Sequence, residues 1–446
     1  MRDNNKKRSF GILLTAVVAL VALFAAVFWT FTEKQLKFPL HLTRAHLATE
    51  LTASLDQNGV FAREIQVPLY TNDDLRQTGR VYSTLNESYG SLIRGYFERY
   101  RPDYGAIAVM NADTGAILAL ESFVKDPEEK LAHLGIRAPF PAASVFKIVT
   151  AAAAIDQGKA YAETIIPYNG RNHTLYRKHV SDQHVTRWTQ HVTLREAFGK
   201  SINVVFGKLG LFQVGVSDLT RYAKNFHFNK DFDTDLKIER SRFVLDPTKP
   251  WQLVESSAGF TNRTTLSPVH GALIASAILN DGVMPTPYSV DTVVSPSGET
   301  LYETTPQPLD TVMVSYSARQ MQLLMQETVT SGTSRKPFRG LAYVDDFRIG
   351  GKTGSLDGDT VAGRTDWFVG YAADNDLRLA VGIVTVHKKY WTVKSSMLAR
   401  LFFEDVFERK NLQSSKTLQP EKPLKAKKRI AQKKPRRKAG LHSKAR

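Results

Sequence analysis

At 446 residues, with 42% hydrophobic and 23% charged residues, the chain is long enough for one large core plus appendages and ordinary enough to be globular. It has no cysteine, which excludes disulfides, thiolate catalysis and cysteine-ligated zinc. The net charge of +17 suggests a nucleic-acid binder, but most of it sits at the ends: residues 411–446 hold 13 Lys or Arg against one Glu, and the folded middle is near neutral.

In chain order, residues 1–9 are basic, with Arg2, Lys6, Lys7 and Arg8, and read as a short cytoplasmic N-terminus. Residues 10–31 are uncharged and mostly apolar, long enough for a helix to cross a bilayer core of about 20 residues. The preceding cations orient everything after residue 32 to the outer side, placing the bulk of the chain in a periplasmic or extracellular space. A cleaved signal peptide is the alternative, but the run exceeds its usual apolar core of about 7–15 residues and no small-x-small cleavage site follows. Residues 32–79 read as a juxtamembrane linker, with an amphipathic helix marked by Leu42, Ala45, Ala48, Leu51 and Leu55 and a brief strand from Ile65 to Tyr70. The main domain is expected over 80–410. It opens with a hairpin, Tyr104 to Met110 and Ala116 to Leu120 around Asp113-Thr114-Gly115. Helices follow at Ser144 to Asp156, Leu194 to Leu211, Pro268 to Asn280 and Ala318 to Thr330. Strands are expected near Arg348 to Gly351, Trp367 to Ala372 and Leu379 to Val386, then a closing helix from Trp391 to Glu408. Strands at both ends with helices between fit a mixed α+β, three-layer fold. Residues 411–446, rich in Lys, Arg, Ala and Pro, read as a disordered basic tail.

Three short motifs carry the chemistry: Ser144-Val145-Phe146-Lys147, Ser201-Ile202-Asn203 and Lys352-Thr353-Gly354-Ser355. A serine hydroxyl is a poor nucleophile until a base takes its proton. Lys147, three positions on at a helix start, lies on the same face as Ser144, and burial beside a second cation lowers a lysine pKa. Ser201 can relay a proton between lysines, and the Asn203 carboxamide can both donate to and accept from a peptide-like substrate. Lys352, Thr353 and Ser355, beside the glycine-rich edge Gly350-Gly351, can bind a carboxylate, and the amides of Ser144 and Ser355 can face an oxyanion. A second Ser-x-x-K, Ser122 to Lys125, follows a strand and runs into Asp126-Pro127, so it lacks helical geometry and is rejected. His173, His179, His184 and His191 crowd one segment, but their spacing does not suit a metal site, and a polar loop beside the substrate groove is the simpler reading.

On these motifs, their order and the flanking Leu266-Ser267-Pro268, Asn280-Asp281-Gly282, Ser331-Gly332-Thr333 and Asp366 to Tyr371, residues 80–410 resemble the penicillin-binding transpeptidase family. The resemblance implies a β-lactamase/transpeptidase-like fold: a five-stranded antiparallel sheet between helices, beside an all-helical lobe. It implies Ser144, Lys147, Ser201 and Lys352 as catalytic residues, with Asn203, Thr353, Gly354 and Ser355 binding substrate. The implied reaction cross-links peptidoglycan stem peptides through an acyl-serine, without cofactor or metal, and β-lactams would acylate the same serine. A Glu-x-x-Leu-Asn pattern is absent between Asn203 and Lys352, which argues against a class A β-lactamase. A class D-like β-lactamase, a DD-carboxypeptidase, and a β-lactam sensor or inactive scaffold are the alternatives. The basic tail, lying outside the membrane, suits anionic envelope polymers or lipid headgroups, not nucleic acid.

Overall fold

The computed structural model describes residues 43–45, 47–51, 64–70, 76–129, 131–181, 185–341 and 347–417. The expected membrane-spanning run, His184 and the tail beyond 417 lie outside them, and no helix among the described residues is long and apolar enough to cross a membrane.

Through Glu404 the described chain forms one compact unit. Its centre is a five-stranded antiparallel sheet in the order Arg348–Gly358, Gly363–Ala373, Arg378–His387, Tyr104–Asn111, Ile117–Val124. The strand Gly363–Ala373 is buried from Thr365 onward, and Arg378–His387 is buried from Leu379 onward, as expected of strands covered on both faces. Side chains alternate between faces, so glycines report what lies on each. A Cβ on Gly382 would stand 1.9 Å from Pro268 O, and one on Gly271 would stand 2.8 Å from Val369, so the helix Pro268–Leu279 lies against that face at backbone distance. All twelve residues of this helix are buried, which explains its apolar character on every side. A Cβ on Gly105, on the other face, would stand 2.4 Å from Phe97, so the helix Glu87–Tyr100 covers the opposite side. The closing helix starts on that side too, where Ser395 bonds Asp366 and Thr385. The expected three-layer α/β/α arrangement and five-stranded antiparallel sheet are present.

The lobe beside the sheet departs from the all-helical expectation. It carries the helices Leu194–Gly199, Asn203–Leu209, Gly215–Asn225 and Pro250–Ala258, but also a two-stranded hairpin, Ile165–Tyr168 with Gln190–Thr193. Tyr168 OH donates to Gln190 Oε1 at 2.8 Å and to Asn172 Oδ1 at 3.2 Å, fixing the base of the hairpin's long loop. The single helix expected over Leu194 to Leu211 is two. Its start is a capping box, with Thr193 Oγ1 accepting from Glu196 N at 3.1 Å and Glu196 Oε2 from Thr193 N at 3.4 Å. It breaks where Ser201 takes a left-handed φ of 55°.

The linker boundary also moves. Glu64–Tyr70 and Arg76–Ser83 pair with each other, and Arg76–Ser83 pairs with Val290–Val294, which is followed by Thr300–Glu303, giving a second, four-stranded antiparallel sheet. Residues 64–70 and 76–79 thus pair with strands of the domain, and position 80 falls inside a strand. Where described, residues 44–51 are helical, and Leu47 and Leu51 join the hydrophobic core. The closing helix runs from Ser395 to Thr417, seven residues into the stretch read as tail; residues from Asp405 onward are a separate unit, of which this helical end is the described part.

Because Pro268 O meets the sheet at Gly382, a side chain there forces helix and sheet apart. Gly382→Ala is expected to destabilise the domain by about 1–3 kcal/mol, the usual cost of overpacking. Thermal unfolding that leaves the midpoint unchanged would refute this close contact.

Candidate active site

Ser144 does not open the α-helix directly. It sits in a 3-10 turn, Ala143–Phe146, that leads into the helix Lys147–Asp156. Ala143 is held at φ 49°, and a Cβ on Gly259 (φ 62°) would come within 2.0 Å of Ala143 O. The turn is therefore pressed against a residue that has to be glycine, a local strain of the kind found at functional sites.

The three-residue spacing brings Lys147 Nζ to 2.7 Å from Ser144 Oγ. The same nitrogen donates to Asn203 Oδ1 at 2.8 Å and to the carbonyl of Ala258. Those two partners can only accept, so they consume two N–H bonds and leave the third position of the nitrogen facing the serine. Lys147 is fully buried, and burial pushes its pKa well below the lysine range, with the charge of Lys352 adding to the effect. A neutral Lys147 has its lone pair where the third N–H would be, aimed at the Ser144 hydroxyl.

The left-handed break places Ser201 on the opposite side of the pocket. Its hydroxyl accepts from Lys352 Nζ at 2.9 Å, and Lys352 also donates to Thr353 O at 2.8 Å. Lys352 is fully buried, and burial lowers its pKa to about 7. Lys352 thus points inward to Ser201 rather than along the Thr353–Ser355 edge of its strand. The cation at that edge is Arg364, unpredicted from sequence, whose Nε donates to Ser355 Oγ at 2.8 Å and whose Nη1 pairs with Asp357 at 3.2 Å. Thr353 Oγ1 meets Thr333 Oγ1 at 2.6 Å, a hydroxyl pair beside it. Gly354 packs tightly: a Cβ there would lie 3.2 Å from Ala142 O, from Ala143 Cβ and from Ser144 N. The strand thus runs directly beside the nucleophile's amide, where the oxyanion pair was expected.

Asn203 lines the cleft, but both ends of its carboxamide are engaged, Oδ1 by Lys147 and Nδ2 by His173 O at 3.0 Å. Its observed contacts hold the base in place. All eight residues singled out from the sequence therefore converge on one cleft of about 250 Å³ or on its floor. His173, Gly259, Thr333, Asp366 and Trp391 also line it. Asp366 is buried, accepts from Ser395 N at 2.7 Å, and is pushed up to about 7 by that burial. Of the other histidines, His179 lies in a short helix, Arg177–Ser181, and His191 on the hairpin strand. The rejected Ser122 is on a strand, its hydroxyl taking Gly135 N at 3.2 Å, while Lys125 pairs with Asp103 at 3.6 Å.

This fold recurs in known proteins. The family described as the penicillin binding protein transpeptidase domain matches residues 105–408. Stage V sporulation protein D of Bacillus subtilis is 26% identical over 314 residues, covering 65% of this chain and 46% of that protein. Among the curated relatives, the chain spans between 45% and 62% of the length of the first three it matches. The D,D-transpeptidase domain of a peptidoglycan glycosyltransferase from Eggerthella lenta has a TM-score of 0.61 at 25% identity, covering 74% of this chain and 84% of that one. Penicillin-binding protein A of M. tuberculosis, solved as a ceftriaxone acyl-enzyme complex, has a TM-score of 0.61 at 24% identity, covering 75% and 80%. With the family matched over most of its length and the serine, lysine and strand motifs gathered in one cleft, this chain belongs to the penicillin-binding protein transpeptidase family.

Proposed function

We propose that the protein is a D,D-transpeptidase that cross-links peptidoglycan stem peptides and is acylated by β-lactams at Ser144. The observation that carries this reading is the contact between Ser144 Oγ and a buried, charge-depleted Lys147 whose remaining hydrogen bonds go to pure acceptors. Lys147 takes the hydroxyl proton as Oγ attacks the carbonyl between two D-alanines, and the negative charge forms beside Ser144 N and the Gly354 strand. The proton then passes to the departing D-alanine amine, with Lys352 and Ser201 as the relay on the other wall. An amine from a second stem takes the acyl group. Thr353, Thr333, Ser355 and Arg364 supply hydroxyls and a cation for the terminal carboxylate of the donor.

A class A type of hydrolysis needs a carboxylate that activates water. Among the described cleft-lining residues the carboxyl is Asp366, and it is tied to Ser395 N, which favours a long-lived acyl-enzyme. The chain's anchoring rests on residues 10–31 and the cations before them, which support a single span with the catalytic domain on the outer side. The thirteen basic residues of the tail support contact with anionic envelope polymers or lipid headgroups there.

Incubation with a fluorescent penicillin is expected to leave a covalent adduct that persists for many minutes in gel electrophoresis and is absent in Ser144→Ala; labelling of that variant, or rapid drug turnover, would sink the assignment. The base makes a second prediction. Asn203→Asp puts a carboxylate against Lys147, raises its pKa and so reduces the neutral fraction. Acylation at pH 7 should slow by about tenfold or more, and the rate should recover at higher pH. A pH–rate profile identical to that of the parent protein would remove Lys147 as the base.

A further inference from the structure

The second half of the reaction needs a place for the incoming amine, and the cleft has a wall not yet given a part. Residues 169–181 leave the hairpin base and pass along the Ser201–Asn203 side of the cleft. They are fastened to it by Asn203 N donating to Asn172 O at 2.7 Å and Asn203 Nδ2 donating to His173 O at 3.0 Å. Gln190 Nε2 donates to Gly170 O at 3.1 Å and holds the other end. The His173 imidazole lines the cleft. A neutral imidazole carries a lone pair on one of its two ring nitrogens. Partial burial lowers the imidazole pKa, and whatever positive charge Lys147 and Lys352 retain, facing it from the nucleophile helix and the Arg348–Gly358 strand, acts in the same direction. The ring is therefore neutral at pH 7.

The same segment is basic on its outer side. Arg171, Arg177 and Lys178 are exposed, residues 169–181 contain no acid before Asp182, and none of the three cations has an ion pair among the described residues. Arg177 lies over the Trp251 ring at 5.2 Å, which fixes its plane while leaving its N–H groups free. Three exposed cations on the same short segment as a cleft-lining imidazole suit a ligand with carboxylates flanking an amine.

We propose that residues 169–181 form the acceptor subsite: His173 receives the attacking amine, and Arg171, Arg177 and Lys178 hold carboxylates of the acceptor strand. This rests on the transpeptidase reading above. The acceptor arrives as an ammonium, and His173 takes one of its protons. The freed lone pair attacks the acyl carbon, the C–N bond forms and the C–Oγ bond breaks. The second amine proton passes through neutral Lys147 to Ser144 Oγ, and the imidazolium releases its proton to water. The wall built by Thr353, Ser355 and Arg364 remains with the donor.

The test uses the full chain in detergent, acylated by a thioester donor, with a synthetic stem peptide bearing a free side-chain amine as acceptor, compared with the same peptide with its carboxyls amidated. The readout is the partition of the acyl-enzyme between amine and water. His173→Ala is expected to lower the amine share for both acceptors, by about 100-fold for loss of a general base. Arg177→Glu/Lys178→Glu should abolish the preference for the carboxylate-bearing acceptor and leave the amidated one unaffected. Labelling by fluorescent penicillin, which uses only the first half-reaction, should stay within about twofold in both variants. Unchanged partition with labelling intact overturns the proposal. So does loss of labelling together with partition, since the loop would then serve only to hold the nucleophile. Failure of the parent protein to label at all would instead sink the transpeptidase reading itself.

Discussion

Two lysine amines, Lys147 and Lys352, are taken fully out of water in one small cluster, and no acid enters the electrostatic environment of either. Burial of an ammonium without a counter-charge is costly, and the cheapest response is to lose the proton. Much else in the structure serves that constraint. The carboxamide of Asn203 and the carbonyl of Ala258 are uncharged acceptors, so they orient Lys147 without restoring its charge. Phe206 and Phe198 lie 5.6 Å and 5.4 Å from the two amines and keep the cluster dry. A carboxylate in place of either acceptor would give a more comfortable pair and a lysine that keeps its proton.

The site is assembled from three remote parts of the chain, and the fold's architecture exists to hold them in register. The nucleophile helix is apolar throughout most of its length and belongs to the core. The Ser201 wall depends on one left-handed residue between two helices, and the third wall on an edge strand with room for a neighbour at Gly354. Gly259 and Gly354 approach the Ser144 turn from two sides, so the reactive hydroxyl sits in a clamp made from backbone, which has few ways to relax.

Much of this was legible in the residues themselves. Ser144 and Lys147 follow from helical spacing, and helix context separates them from Ser122 and Lys125, which share the four-residue pattern but lie at a strand end. The central hairpin and the last three strands follow from apolar runs. Other features depended on information that local pattern does not hold. Arg364 becomes a neighbour of Ser355 only through strand pairing, in which Asp357 faces Arg364. At the break the left-handed residue is Ser201 itself, although the helix before it ends on Gly199, so the glycine does not mark the turning position. Arg76–Ser83 has Val81 as its one large apolar core residue and is a strand because Val290–Val294 gives it a partner.

The order of the central sheet has a consequence for how the chain is made. The hairpin that starts the sheet, Tyr104–Asn111 and Ile117–Val124, is synthesised first, while the three strands that complete it, including the one bearing Lys352, come more than two hundred residues later. Long-range pairing of this kind is slow and cannot begin before its last segment exists. Until then Ser144 has its lysine three residues away but not the dry surroundings that strip the proton from it. A half-made chain thus carries an inert serine, and chemical competence arrives in one step, with the docking of the final strands.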